Sequence, residues 1–152
     1  MKKIKIEDVK NRTSQVPIEK SIADIEKRLV SIGAKNINKQ YDEDGLLVGI
    51  VFLVLINSET HAFKLEAKVD DIEAVMREQV SRPRPGTYEK IKDQANRTAW
   101  KLLKDWIDIQ ALMILFNQRS VLQTFLPDHY DVENTTTFFQ RIEKSGTKLL
   151  NY

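Results

Sequence analysis

The chain has 152 residues, of which 41% are hydrophobic and 30% are charged, with no cysteine and a formal net charge of +2. These values are typical of one soluble globular domain, and the lack of cysteine excludes disulfides, thiolate metal sites and a cysteine nucleophile. The longest apolar run, at 46 to 56, is too short for a membrane helix of ~20 residues, and no apolar signal-peptide core follows the N-terminal lysines. We therefore predict a cytoplasmic protein with no membrane partner.

The N-terminal residues 1–15 are basic and show no clear hydrophobic period. They predict a mobile arm, or an edge strand through "IKI", in front of a single domain at 16–152. The first helix is predicted in "VPIEKSIADIEKRLVSIGAK", where apolar residues recur at helical spacing. Pro17 suits its first turn, and Gly33 is placed to end it.

Three strands are predicted next, in "NINKQYD", "LLVGIVFLVLI" and "HAFKLEAKV". The second is rich in β-branched residues along its length, which predicts a central strand buried on both faces. The third alternates apolar and charged residues, which indicates a strand with one covered face. The turns "DEDG" and "NSET" are short, so consecutive strands are predicted to pair as an antiparallel meander.

Two further helices are predicted after the strands. The first begins at "DDIEAVMREQV", with Asp70 as N-cap and Glu73 completing a capping box. The prolines of "SRPRPG" end it, and a long helix follows from Thr87 to about Arg119. At 1.5 Å per residue this helix is ~45 Å long, so it must overhang the sheet, kink, or be covered by a partner subunit. Its segment "ALMILF" is apolar nearly all round, which favours burial on two sides.

The C-terminal region is predicted to contain short helices. Ser120 is expected to cap "VLQTFL", "DHYDVEN" to form a loop, and Asn134 to cap "TTTFFQRIEKS", with Gly146 ending that helix. The element order predicts an α+β fold: a helix, a three-stranded antiparallel meander, then helices packed on one sheet face, including one long helix in the C-terminal half.

Histidine occurs at two positions. His61 alternates with Phe63 and Leu65, so a core or strand-end histidine is the preferred interpretation and a metal ligand the minor one. His129 lies between Asp128 and Asp131, which is the one place where a base and an orienting carboxylate are adjacent in sequence. A small hydrolase using His129 with Asp128 or Asp131 is therefore an alternative function, although such a loop is also ordinary turn sequence.

Cofactor and metal motifs are absent from the sequence. The five glycines are scattered and form neither a phosphate-binding loop nor a dinucleotide fingerprint. The acidic clusters at 42–44 and 70–73 coincide with a predicted turn and a predicted helix start, which explains them without a cation. We predict no cofactor, no metal and no catalytic residue, and we favour a non-enzymatic function over an enzymatic one.

Basic residues are concentrated between Arg77 and Lys104. This span contains eight basic residues and three acidic ones. Lys90, Arg97, Lys101 and Lys104 recur at helical spacing and form one basic stripe of the long helix, with Trp100 at its edge. Trp106 falls on the apolar side of the same helix. Such a stripe can hold phosphates while an exposed indole stacks a base; the competing interpretation is a solvated face whose basic groups pair with nearby aspartates. The candidates for ligand or nucleic-acid binding are Arg82, Arg84, Lys90, Arg97, Trp100, Lys101 and Lys104.

The order helix–three strands–helix resembles a double-stranded-RNA-binding domain. In that family the second helix opens with a lysine-rich phosphate clamp, whereas here it opens "DDIEAV", and acids at this point repel a phosphate backbone. We therefore do not transfer that family's function. Three blocks resemble a family of short proteins from prophages and mobile elements, over roughly residues 15 to 143: "VPIEKSIADIEKRLVSIGAKNINKQYDEDGLLVGIVFLV", "QANRTAWKLLKDWIDIQ" and "FLPDHYD" with "TTTFFQRI".

The second resemblance implies a small intracellular accessory protein of a phage or mobile element, and it transfers no functional residue. Together with the overlong apolar helix, it predicts a non-enzymatic binding protein that self-associates as a homo-oligomer through that helix. Its expected partners are nucleic acid, a nucleotide or a host protein. Binding of nucleic acid or a nucleotide through the basic stripe is the first alternative, and the hydrolase is the second.

Overall fold

The computed structural model describes residues 3–150, without the side chains of Thr147 and Leu149. Met1 and Lys2 of the predicted arm, and the last two residues of the predicted domain, lie outside the described residues. The elements in chain order are α1 (Ile18–Ser31), β1 (Ala34–Tyr41), β2 (Leu47–Ile56), β3 (Glu59–Glu66), α2 (Asp70–Glu78), α3 (Thr87–Leu115), α4 (Val121–Phe125), β4 (Tyr130–Asp131), β5 (Thr136–Thr137) and α5 (Phe138–Ser145). This is an α+β fold, as predicted.

The chain forms two compact units. Unit 1 comprises residues 1–27 and 67–109, and unit 2 comprises residues 28–66 and 110–152. Two of the three boundaries fall inside α1 and α3, and the third lies between β3 and α2. No helix within residues 3–150 has both the length and the apolar composition that are needed to cross a membrane.

The sheet in unit 2 is the predicted meander, with antiparallel strands in the order β1-β2-β3. Three successive residues of β2, Ile50, Val51 and Phe52, are buried, so this central strand is covered on both faces as predicted. Phe52 pairs directly with Phe63 on β3. Directly paired residues of an antiparallel sheet point to the same face, so these two rings lie side by side.

Both predicted turns of the meander are confirmed. In the first, the Asp42 carboxylate accepts hydrogen bonds from the amides of Asp44 and Leu46 at 2.9 and 2.8 Å. In the second, Asn57 and Ser58 have φ values of 50° and 67°. Two successive residues with positive φ form the tight hairpin turn that matches strand twist. β3 consequently begins at Glu59, two residues before the predicted start.

An aromatic cluster holds α4 on one face of the sheet. The Phe125 ring meets Phe52 edge-on with centroids 5.5 Å apart, and its centroid lies 6.1 Å from that of Phe63. All three rings are fully buried. Ser120 caps α4 as predicted, since its hydroxyl accepts a hydrogen bond from the Gln123 amide and Gln123 completes a capping box.

The predicted cap of α2 is wrong. Val69 occupies the N-cap position and gives no side-chain hydrogen bond, and Asp70 is already helical. With the helix beginning at Asp70, Glu73 points forward along the helix and pairs with Arg77 at 2.7 Å rather than reaching back to a cap. The acids of this first turn are still favourable there, because the helix N-terminus carries partial positive charge.

The predicted cap of α5 is also wrong, although its end is correct. Thr137, not Asn134, caps the helix by accepting a hydrogen bond from the Gln140 amide. Asn134 instead donates to the Asp131 carboxylate at 2.7 Å, within the turn that joins β4 to β5. The segment predicted as loop therefore contains β4. Gly146 follows the helix with φ of 71°, a conformation that favours glycine.

The long helix α3 is continuous over 29 residues and ends four residues before the predicted end. Asn117 adopts a left-handed conformation with φ of 57°. The amides of Gln118 and Asn117 then return to the carbonyls of Met113 and Ile114 at 2.8 and 3.0 Å. This is the Schellman arrangement, in which an asparagine in the left-handed region ends a helix.

Candidate functional site

The N-terminal arm of unit 1 lies along α3. The Thr98 hydroxyl and the Gln94 amide donate hydrogen bonds to the carbonyls of Asn11 and Ser14, each at 3.0 Å. In addition, Asn11 Nδ2 donates to the Asp105 carboxylate at 2.9 Å. Residues 6–8 form a 3-10 turn, and no strand includes the "IKI" segment. The described part of the arm is therefore attached to α3 by hydrogen bonds and is not an edge strand.

The second half of the predicted basic stripe consists of Lys101 and Lys104, and both form ion pairs. Lys101 and Lys104 donate to Asp105 and Asp108 one turn further along α3. Burial raises the pKa of Asp105, but hydrogen bonds from Lys101, Asn11 and Lys10 outweigh it and bring that pKa to about 2. The hydrogen bond to Asp108 raises the pKa of Lys104. In this half the basic groups pair with aspartates, as expected for a solvated charged face.

Trp100 does not border the stripe as an exposed ring. Its side chain is fully buried, with 0% of its surface exposed. A base cannot stack on a ring that solvent does not reach, so Trp100 is removed from the candidate binding surface. The error arose because spacing along a helix gives the direction of a side chain but not which segments pack against it.

The first half of the stripe consists of Lys90 and Arg97, and its environment differs from that of the second half. Lys90 is exposed and Arg97 is half-buried. Arg97 donates to neutral oxygens, to Gln94 Oε1 at 2.7 Å and to the Ser14 carbonyl at 3.4 Å. Within residues 3–150 no carboxylate forms an ion pair with either of these two cations. The exposed Arg82 and Arg84 also have no ion pair in that part of the chain.

A groove of about 670 Å³ in unit 1 brings part of this stripe together with the arm and α2. We call it the unit 1 groove. Lys90 and Arg97 are the two sequence candidates that line it; the other five candidates do not. Its full lining combines apolar residues with polar and charged ones: Ile6, Met76, Val80 and Ile91, with Arg12, Thr13, Thr87, Lys90, Asp93, Gln94 and Arg97.

The sequence did not predict this groove. Arg12 and Ile6 belong to an arm with no periodic pattern, and Met76 and Val80 belong to the helix predicted in "DDIEAVMREQV". The basic composition of the arm was the only relevant signal. Where the arm lies depends on its hydrogen bonds to Gln94 and Thr98, and these bonds join residues 80 to 87 positions apart.

In unit 2 the two histidines form a pair. His61 Nδ1 and His129 Nε2 are 3.0 Å apart, and the His129 ring meets Phe63 edge-on at 5.6 Å. A β-bridge between Phe63 and His129 places the end of α4 and β4 beside β3. Burial lowers the pKa of His129, and the charges of His61 and Arg141 lower it further, while Asp131 opposes them.

Asp131, one proposed partner of a catalytic His129, has a structural role. Its carboxylate accepts hydrogen bonds from the amides of Glu133 and Asn134, each at 3.1 Å, and from the Asn134 side chain. These bonds build the turn between β4 and β5. His129 does not line the unit 1 groove or the groove of about 590 Å³ at the end of the sheet in unit 2. We do not propose the hydrolase further.

The last turn of α3 in unit 2 and Phe116, which follows it directly, expose large apolar side chains. Leu112, Leu115 and Phe116 are 44%, 48% and 71% exposed. Their spacing of three and four residues places them on one face of the helix. We call these three residues the α3 end face. No charged residue occurs between Asp108 and Arg119.

Among residues 3–150 there is no group of three or more histidine, aspartate or glutamate side chains that is arranged to hold a metal ion. No protein-family model, no curated protein and no solved structure matches the chain significantly.

Proposed function

We propose that this protein is a non-enzymatic binding protein that self-associates through the α3 end face. The observation that supports the proposal is the exposure of Leu112, Leu115 and Phe116 together on one helix face. Each large apolar side chain gains about 1.5–3 kcal/mol on full burial, so covering this face with a protein surface is favourable.

A second copy of the chain is the partner that fits this face best. Most soluble oligomers are symmetric dimers, in which one surface patch meets the same patch on the partner. Such an interface requires a patch that does not repel itself. Residues 109–118 carry no charge, so two copies of this segment meet without like charges opposing each other.

The biological context of the proposal comes from the sequence blocks alone. Their resemblance to short prophage and mobile-element proteins supports an accessory role in a phage or mobile element. An accessory protein of this kind acts by binding, and a homo-oligomer presents each binding surface more than once, which raises its avidity.

Size-exclusion chromatography with light scattering tests self-association in the full-length protein. We expect a dimer at high micromolar concentration and a monomer for Phe116→Glu, because the substitution places a charge in the centre of the α3 end face. Val132→Glu is the matched control, since Val132 is also exposed in unit 2, at 62%, but lies in the β4–β5 turn. A wild-type protein that is monomeric at this concentration would contradict the proposal.

Nucleic acid is a second candidate partner, supported by Arg82 and Arg84, which are exposed in the loop before α3 and have no ion pair within residues 3–150. With Trp100 buried, this binding would depend on phosphate contacts, whose affinity falls steeply with salt. Single- and double-stranded oligonucleotides at about 50 mM salt provide the test. Absence of binding, or equal binding by the Arg82→Gln, Arg84→Gln double variant, would discard this candidate.

A further inference from the structure

We propose that the unit 1 groove is a binding site for a small aliphatic anion with a carboxylate or phosphate head group. The groove joins an apolar wall to three cationic side chains, which is the arrangement that an amphipathic anion requires. Its volume of about 670 Å³ lies within the range of ~300–1,000 Å³ that is usual for small-molecule sites.

The apolar wall favours an aliphatic body for the ligand. It is formed by Ile6, Met76, Val80 and Ile91. Met76 is buried, whereas the other three are half-buried and keep apolar surface that a ligand can cover. No aromatic side chain lines the groove, so it lacks the flat platform on which a nucleobase stacks.

The cationic side favours an anionic head group. Arg12 donates to the Glu7 carbonyl at 2.9 Å, and Arg97 donates to Gln94 and to the Ser14 carbonyl. These bonds to neutral oxygens position both guanidinium groups without neutralising their charge. Each guanidinium retains N–H donors, which match the two oxygens of a carboxylate. Lys90 adds a third positive charge to the same lining.

Asp93 only partly offsets the cationic side. It is the single acid in a lining that also contains Arg12, Lys90 and Arg97. The charges of the lining together remain positive, so they attract both a singly charged carboxylate and a doubly charged phosphate. The groove therefore fits an anionic head group of either kind.

Titration calorimetry of the full-length protein with sodium decanoate tests the site. Decanol supplies the chain without the charge, inorganic phosphate supplies charge without the chain, and decyl phosphate supplies both with a higher charge. We expect saturable 1:1 binding of decanoate and of decyl phosphate, each tighter than binding of decanol or of inorganic phosphate, and the tighter of the two identifies the head group. No saturation by either amphipathic anion at about 1 mM, or equal affinity for decanol or for inorganic phosphate, overturns the proposal.

Two variants locate the binding. Lys90→Gln removes an exposed cation of the lining and is expected to weaken decanoate binding roughly fivefold to tenfold. Lys92→Gln is the matched control, because Lys92 is exposed on the same helix but does not line the groove. Val80→Glu adds a carboxylate to the apolar wall and should abolish binding. Unchanged affinity in Lys90→Gln and Val80→Glu, with unfolding transitions like that of the wild type, contradicts the site.

Discussion

His61 Nδ1 lies 3.0 Å from His129 Nε2, although 68 residues separate the two in sequence. A hydrogen bond between two imidazole rings requires a proton on one nitrogen and a lone pair on the other. The Glu59 carboxylate lies 3.8 Å from His61 Nε2 and favours a proton there. With the proton on His61 Nε2, His61 Nδ1 accepts and His129 Nε2 donates; the opposite tautomers reverse these two roles.

Because of this histidine pair, we expect the stability of unit 2 to decrease in acid. Burial, together with the charges of His61 and Arg141, lowers the pKa of His129 in the folded protein below its ordinary value of 6.5. Below about pH 6.5 the unfolded chain therefore binds a proton at His129 more readily than the folded chain does. The contribution of this site to stability is complete above that pH and is lost as the pH falls through the folded-state pKa.

Urea denaturation at about pH 7.5 and about pH 5.5 measures this effect. We expect the free energy of unfolding of the wild type to fall between the two pH values, and to fall less in His129→Gln, which removes the titrating ring. Other groups also titrate in this interval, so the comparison between the two proteins is the informative quantity. An identical decrease in both would show that His129 does not contribute.

The histidine pair also shows what the sequence of unit 2 leaves undetermined. Alternation placed His61 correctly on the face of Phe63, because strand periodicity is a local property. Adjacency in sequence instead associated His129 with Asp131, which the structure uses for the β4–β5 turn. The contact of His129 with His61 depends on β4 lying beside β3, a long-range pairing that no local pattern encodes.

Asp105 is predicted to hold the arm against α3. It accepts hydrogen bonds from Asn11 and Lys101 and pairs with Lys10 at 3.2 Å. Its side chain is 18% exposed, so these interactions are only partly screened by solvent. We expect Asp105→Asn to lower the free energy of unfolding by about 1–2 kcal/mol. Trypsin cleavage after Lys10 should become faster. Glu43→Gln, in the exposed β1–β2 turn, is the control and should change neither property.

The same carboxylate should respond to strong acid. Its pKa is about 2 in the folded protein, against a usual 3.8, because the hydrogen bonds from Lys101, Asn11 and Lys10 outweigh burial. A lowered pKa stabilises the folded state above the unfolded value, and the effect is lost as pH falls from about 4 to about 2. At neutral pH it amounts to about 2 kcal/mol. If Asp105→Asn retains the full acid dependence of the wild type in that interval, this assignment is wrong.

The aromatic cluster of unit 2 should be sensitive to truncation. Phe125 is fully buried between α4 and the sheet, in contact with Phe52 and Phe63. Phe125→Ala removes these contacts and leaves a cavity, so we expect a loss of about 3–5 kcal/mol in thermal or urea unfolding. Leu126→Ala changes the next residue, which is 41% exposed, and should cost less than about 1 kcal/mol. Similar losses for the two variants would argue against the described packing.

Helical periodicity predicted the position of α3 well but the environments of its tryptophans poorly. Trp106 was assigned to the apolar side and Trp100 to the edge of the basic stripe. In the structure Trp100 has 0% and Trp106 38% of its surface exposed. The arm shows a related limit, since its hydrogen bonds to Gln94 and Thr98 lie on a helix face that a charge pattern alone assigns to solvent. Helical periodicity cannot place a segment that lacks a periodic pattern, such as the arm.

Single-tryptophan variants test these environments directly. In Trp106→Phe the remaining Trp100 should emit at short wavelength and resist quenching by iodide, because an anionic quencher does not reach a buried ring. In Trp100→Phe the remaining Trp106 should emit at longer wavelength and be quenched more strongly. Adding single-stranded oligonucleotide to Trp106→Phe should leave the emission of Trp100 unchanged, since a base cannot stack on it. Strong iodide quenching of Trp100, or its quenching by the oligonucleotide, would restore this residue to the binding surface and overturn its assignment to the interior.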